Sequence, residues 1–205
     1  MKKAIIFDLD NTIYGVRTIG DELFASLFQL IQASGEHQSN FEAIRKDILR
    51  KPFQVVAATH QFSDALTQQG FDMLSNIYYK GPIQYFDDYE ITRLLSIDKY
   101  LVTTGFLQLQ QSKIDGMNIA QDFKEIHIID PAASAKTKKD IFTEIIQRNN
   151  YTVDEVLVIG DDLHSEIKAA QELGIDAIVY DKYDLYTNDI AFPKINNFSQ
   201  LNSHL

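Results

Sequence analysis

The stretch Ala4-Ile5-Ile6-Phe7-Asp8-Leu9-Asp10-Asn11-Thr12 sets the fold: four apolar residues run straight into two aspartates and a polar turn. A short, continuous apolar run closed by turn formers reads as a strand buried on both faces, as in the middle of a parallel sheet. Asp8 and Asp10 then lie at the carboxyl end of that strand, where open α/β sheets bind their ligands. If the extended chain continues, the two carboxylates share one face and Leu9 points the other way. Two acids held together are costly unless a cation or a shared proton offsets them. The stretch therefore asks for a metal and leaves a carboxylate free for nucleophilic or acid–base work.

The rest of the chain divides around it. From about Gly20 to Gln84 no segment has a strand pattern. Leu23, Phe24, Leu27, Phe28, Leu30 and Ile31 make an apolar face at helical spacing between Asp21 and Gly35. A second helix is expected after Ser39-Asn40 and up to Pro52, followed by helical stretches at 53–69 and 72–79 divided by Gly70. Beyond Gly81-Pro82, strands and helices alternate. Strands are expected at 99–103, 125–130, 155–161 and 176–180, and helices at 87–97, 106–114, 137–149 and 165–173. That order predicts an α/β fold, a three-layer Rossmann-like parallel sheet core of residues 1–14 and 85–205 with an inserted helical cap at 15–84. The tail after Asp181 is irregular, with room for a short edge element.

Composition narrows the function. The chain has 205 residues, 45% of them hydrophobic, and a net charge of -10, which argues against a nucleic-acid binder with its basic stripe. It has no cysteine, so disulfides, thiolate catalysis and cysteine-rich zinc sites are excluded. His37, His60, His127, His164 and His204 are scattered, with no pair at metal-ligand spacing. No apolar run is long enough to span a bilayer, and Asp8 cuts the first one too early for a signal peptide, so a cytoplasmic location is expected.

Asp8-Leu9-Asp10-Asn11-Thr12 after an apolar strand resembles the DxDxT signature of the haloacid dehalogenase-like hydrolases, most of which are phosphatases. Three further strand-end sites follow in the order that family requires. Thr103-Thr104-Gly105 offers a hydroxyl and backbone N–H groups at a glycine turn, suited to cradling phosphate or equally to capping the next helix. Lys136 precedes the helix carrying Ile141 and Phe142. Thr137 stands where that family usually has proline, so Lys138 and Lys139 stay open as the active-site lysine. Val156-Leu157-Val158-Ile159-Gly160-Asp161-Asp162, with Glu166 one helical turn on, resembles the family's acidic fourth motif, although two aspartates there could also cap a helix.

The resemblance covers the chain outside the helical insert. It implies a magnesium-dependent phosphatase acting on a small phosphorylated metabolite, of the nucleotide or sugar phosphate class, through a phospho-aspartate. Asp8 would be the nucleophile, Asp10 the acid and then base, and Thr103 and Lys136 would neutralise the phosphoryl group. Asn11, Thr104 and Gly105 would contact substrate, and Asp8, Asp10 (through its carbonyl) and Asp161 would hold Mg2+. The helical block would act as a lid that excludes water and selects substrate. The partner is then a small phosphorylated molecule, not nucleic acid or membrane. A phosphomutase shares these motifs, and a catalytically silent binding protein would keep the fold. A phosphorylatable receiver-like domain would lack the inserted helices.

Overall fold

The computed structural model describes every residue except Asn188. Five of its strands fall where the sequence pattern puts them: β1 (Ala4–Phe7), β2 (Asp98–Thr104), β3 (Glu125–Ile129), β4 (Val156–Gly160) and β5 (Asp176–Tyr180). The tail supplies a short β6 (Lys194–Ile195). All pairings are parallel, in the order β3-β2-β1-β4-β5-β6. β1 is central, between β2 and β4, and the chain winds outward from it on both sides. The switch point of the sheet therefore lies at the end of β1, beside Asp8.

Alternation along each strand feeds two cores. Ile5, Phe7, Leu101, Leu157, Ile159 and Ile178 face one side, while Ala4, Ile6, Tyr100, Val102, Val158 and Val179 face the other. The second side is covered by α8 (Lys138–Asn149) and α9 (Glu166–Leu173), through Ile141, Phe142, Ile145, Ile167 and Ala170. On the first side, Phe7 packs edge-on against Phe123 and Phe198, with ring centroids 6.1 and 6.0 Å away. α9 ends on Gly174, whose φ of 72° suits a residue without Cβ.

The segment after Thr12 is helical, as its patterning predicts, but two of its breaks differ. The first helix is interrupted at Phe24, giving α1 (Gly20–Leu23) and α2 (Ala25–Ser34), and α3 (Phe41–Ile48) follows. The next break lies at 60–63, between α4 (Phe53–Thr59) and α5 (Asp64–Ser75), where Gln61 takes φ 56° and the Ser63 hydroxyl caps the new helix. Gly70 is not the divider. It sits inside α5 because the Phe53 ring lies over it: a Cβ there would come 2.2 Å from Phe53 Cζ. The helix expected over 87–97 contracts to a 3-10 turn at Asp87–Tyr89 and a one-turn α6 (Glu90–Arg93), since Asp98 already begins β2.

The helical segment shares the core of the first sheet face. It also grips α7 (Leu107–Met117): Phe71 meets Phe106 edge-on at 5.4 Å, and the Tyr79 N–H donates to Ser112 Oγ at 3.1 Å. Among the described residues no helix is long and apolar enough to cross a membrane.

Candidate active site

A cavity of about 110 Å³ opens at the carboxyl end of β1, between the sheet edge and the helical segment. Asp8, Asp10, Thr103, Lys138 and Asp161 line it from the sheet side, and Phe24, Ile48, Leu49, Phe53 and Leu74 from the helical side. Its shape begins in the turn after β1. Asn11 takes φ 58°, a left-handed conformation that asparagine tolerates. Its amide oxygen accepts from the Val16 N–H at 3.2 Å and its nitrogen donates to the Leu49 carbonyl at 3.4 Å. Asn11 thus lines the cavity but spends its side chain tying the turn to the helical segment.

Asp8 is buried and meets an ammonium group: Lys138 Nζ donates to its Oδ1 at 2.5 Å and to Glu166 Oε2 at 2.6 Å. This corrects the placement of the lysine. Lys136 points to the surface and pairs with Glu144 at 2.7 Å, and Lys139 pairs with Glu172 at 3.0 Å. The reason is the helix start. Thr137 caps α8 in a reciprocal box with Asp140, so Lys138 is the first helical residue and is directed inward at the sheet edge. The unfavourable position of a cation at a helix N-terminus is offset by two carboxylates.

Glu166 is buried beside them. Its second oxygen accepts from the Asp162 N–H at 2.7 Å. Gly160 makes room for it, since a Cβ there would lie 2.1 Å from Glu166 Oε1. Oxygens of Asp8, Asp161 and Glu166 all lie within 4.8 Å of one another. Burial, reinforced by Glu166 and outweighing the pull of Lys138, pushes Asp8 up to about 7. Asp161 is also raised well above the ordinary carboxyl value, by burial and then by Glu166 and Asp8. Three carboxylates around one ammonium cannot all stay ionised without a further positive charge; protons offset them in the metal-free protein, and a cation fits in their place. Both Glu166 oxygens are taken, whereas Asp8 Oδ2 and the Asp161 carboxylate have no hydrogen-bond partner among the described residues. The lone pairs available to a cation are therefore those of the Asp161 carboxylate and the one left on Asp8 Oδ1 beside Lys138, with Asp8 Oδ2 open to the cavity. Asp162 accepts from the His164 N–H at 2.8 Å and so serves the turn before α9.

Asp10 meets a different set of groups. Lys113 donates to both its oxygens, at 2.8 and 3.0 Å, Gln110 Nε2 donates to Oδ2 at 2.9 Å, and the Tyr14 hydroxyl donates to Oδ1. Burial would raise Asp10, but the Lys113 charge and these donors hold it below the ordinary value. Gln110 Nε2 also donates to Thr103 Oγ1 at 2.6 Å, and the Thr103 hydroxyl hydrogen has no acceptor among the described residues. Thr104 and Gly105 line the cavity, but the Gly105 N–H is spent on the Ile129 carbonyl at 3.0 Å. Gln110 and Lys113 were missed in the sequence. They fall at the core-facing spacing of Phe106, Leu109, Ile114 and Met117, and polar side chains on such a face are the signal that could have found them.

The arrangement offers a buried carboxylate with one oxygen open, a second carboxylate two residues on, an ammonium, a hydroxyl and a place for a cation. Comparison with known proteins agrees with that chemistry. The family model of the haloacid dehalogenase-like hydrolases matches residues 2–174. The pyrimidine 5′-nucleotidase PynA of Streptococcus pneumoniae is 21% identical over 97% of this chain and 73% of its own. The glyceraldehyde 3-phosphate phosphatase of Methanopyrus kandleri is 23% identical over 85% of this chain and 82% of its own. The structure of the HAD-hydrolase YfnB of Bacillus subtilis bound to magnesium superposes with a TM-score of 0.67 at 20% identity, covering 100% of this chain and 98% of that one. The chain belongs to the haloacid dehalogenase-like hydrolases.

Proposed function

We propose that this hydrolase is a magnesium-dependent phosphatase that removes the phosphoryl group of a small metabolite through a phospho-aspartate at Asp8. One observation carries the reading: Asp8 lines the cavity with Oδ1 held by Lys138 and Oδ2 without a partner among the described residues. A carboxylate fixed at one oxygen and open at the other is set up as a nucleophile. Its Oδ2 attacks phosphorus and the bond to the leaving oxygen breaks. Asp10, an ionised carboxylate under four donors at rest, exchanges one of them for a proton and hands that proton to the leaving oxygen. Water then attacks the phosphorus of the acyl phosphate while Asp10 accepts the proton, and inorganic phosphate leaves with Asp8 restored.

Lys138 uses two of its three N–H donors on Asp8 and Glu166, so the third is free for a phosphoryl oxygen. The Thr103 hydroxyl can donate to another. Asp161 and Asp8 Oδ1, which keeps a lone pair beside the Lys138 bond, would hold Mg2+ and leave Asp8 Oδ2 for phosphorus, with Glu166 fixing Lys138 and the Asp162 turn behind them. Bound magnesium would neutralise these carboxylates and the transferring phosphoryl oxygens.

Residues 15–84 would serve as the cap, its apolar wall of Phe24, Ile48, Leu49, Phe53 and Leu74 receiving the leaving group. The relatives' names include a sugar phosphate phosphatase and a nucleotidase, which supports a small phosphorylated metabolite as the substrate class. The test is phosphate release from a panel of nucleoside and sugar monophosphates with magnesium. Turnover of at least one, abolished by a chelator, is expected, and no release from any would reject the reading.

A further inference from the structure

The two aspartates of the first motif each have their own lysine, and counting hydrogen-bond donors separates the tasks of those lysines. Lys138 keeps a free N–H. Lys113 does not: its ammonium gives one hydrogen bond to each oxygen of Asp10, at 2.8 and 3.0 Å, and a third to Gln110 Oε1 at 2.5 Å. An ammonium has three donors, so none is left for a phosphoryl oxygen, although Lys113 lines the cavity. Its side chain is 3% exposed, which also removes it from a solvent role.

The receiving end is equally complete. A carboxylate accepts about four hydrogen bonds, and Asp10 receives them from Lys113 twice, from Gln110 and from Tyr14. Gln110 in turn orders Thr103, so one cluster on α7 fixes both the second aspartate and the strand-end hydroxyl. Gly105 allows it: a Cβ there would come 2.9 Å from the Gln110 side chain. The far side of the same helix is held by the helical segment, through Tyr79 on Ser112 and Tyr78 on Asp115.

We propose that Lys113 is the positioning residue for Asp10, fixing its carboxylate through the Lys113–Gln110–Tyr14 cluster without touching the substrate. The proposal rests on the phosphatase reading above. Elsewhere in the molecule, a buried lysine of this kind, Lys2, sits on Asp176 and two carbonyls, away from the cavity, and has a structural task only.

The experiment is a double-mutant cycle on Asp10→Asn and Lys113→Met, read as the single-turnover rate of phosphoryl transfer from an aryl phosphate and as KM. Inorganic phosphate affinity is measured alongside by calorimetry. Lys113→Met is expected to lower the rate at least tenfold with KM and phosphate affinity changed less than twofold. In the Asp10→Asn background the same substitution should cost less than twofold, because the group it acts through is already gone. Lys113→Arg, which keeps the charge but not the compact three-donor head, should fall between wild type and Lys113→Met, and it carries the same cycle if the methionine variant does not fold.

Equal losses in both backgrounds, or phosphate affinity weakened tenfold, would overturn the proposal and make Lys113 a substrate ligand or a purely structural ion pair. A wild-type protein inert toward every phosphomonoester would instead overturn the phosphatase reading, and with it this one. The two failures are thus distinguishable.

Discussion

Replacing Lys138 with methionine should be far more damaging than the same change at Lys136. Lys138 is 7% exposed and lies 2.5 and 2.6 Å from two carboxylates that are 7% and 2% exposed. Removing one partner of a buried ion pair strands the other and costs about 3–5 kcal/mol. For a chain of this size each kcal/mol shifts the melting temperature by ~2–4 °C, so Lys138→Met should melt ~6–20 °C lower in chelator. Lys136 and Glu144 are 53% and 41% exposed, and such a surface pair contributes ~0–1 kcal/mol, a shift of at most a few degrees. Phosphate release should fall at least ~100-fold for Lys138→Met and stay near wild type for Lys136→Met. Thermal melting and a phosphate-release assay on both variants decide it. A Lys138→Met protein that melts with wild type and turns over normally would refute the reasoning, as would a Lys136→Met protein that is dead.

Asp8, raised to about 7, is protonated in the folded metal-free protein at a pH where the unfolded chain, near its ordinary 3.8, has lost the proton. Stability without metal should therefore fall as pH rises from about 4 through 7, and magnesium should flatten the slope. Urea midpoints at pH 5 and pH 8 in chelator measure it, and a higher midpoint at pH 8 would contradict the sign. Gly70→Ala should destabilise by ~1–3 kcal/mol despite alanine's better helix propensity, because the new Cβ meets the Phe53 ring. A raised melting temperature would mean that the ring moves aside freely. Asp161→Asn should weaken magnesium binding more than Glu166→Gln, since only Asp161 has an open carboxylate. Calorimetric titration giving the reverse order would exchange their roles.

The strands were legible because a parallel sheet buried on both faces writes itself as apolar runs, and Val156–Gly160 and Asp176–Tyr180 are such runs. Strand ends put Asp8, Thr103 and Asp161 at one edge of the sheet, and the resemblance to the haloacid dehalogenase-like hydrolases supplied the reason to single them out there. What could not be read were contacts made by side chains brought together from distant segments. Lys136, Lys138 and Lys139 are equivalent in sequence, and only the Thr137–Asp140 box, which fixes where α8 starts, selects the one that faces Asp8. Gly70 has the sequence signature of a break and the structural task of admitting Phe53, and propensity cannot tell the two apart. Lys113 lies 103 residues from the aspartate it meets, and its helix reads as an ordinary amphipathic one unless its inward polar positions are counted.

The central claim is that Asp8 carries the phosphoryl group. Wild-type protein turning over a phosphomonoester with magnesium should be quenched in acid, digested and weighed by mass spectrometry. A phosphoryl increment confined to the peptide containing Asp8 is expected, lost together with turnover in Asp8→Asn. Sustained turnover with no increment on that peptide, or an Asp8→Asn protein that still releases phosphate, would contradict the account.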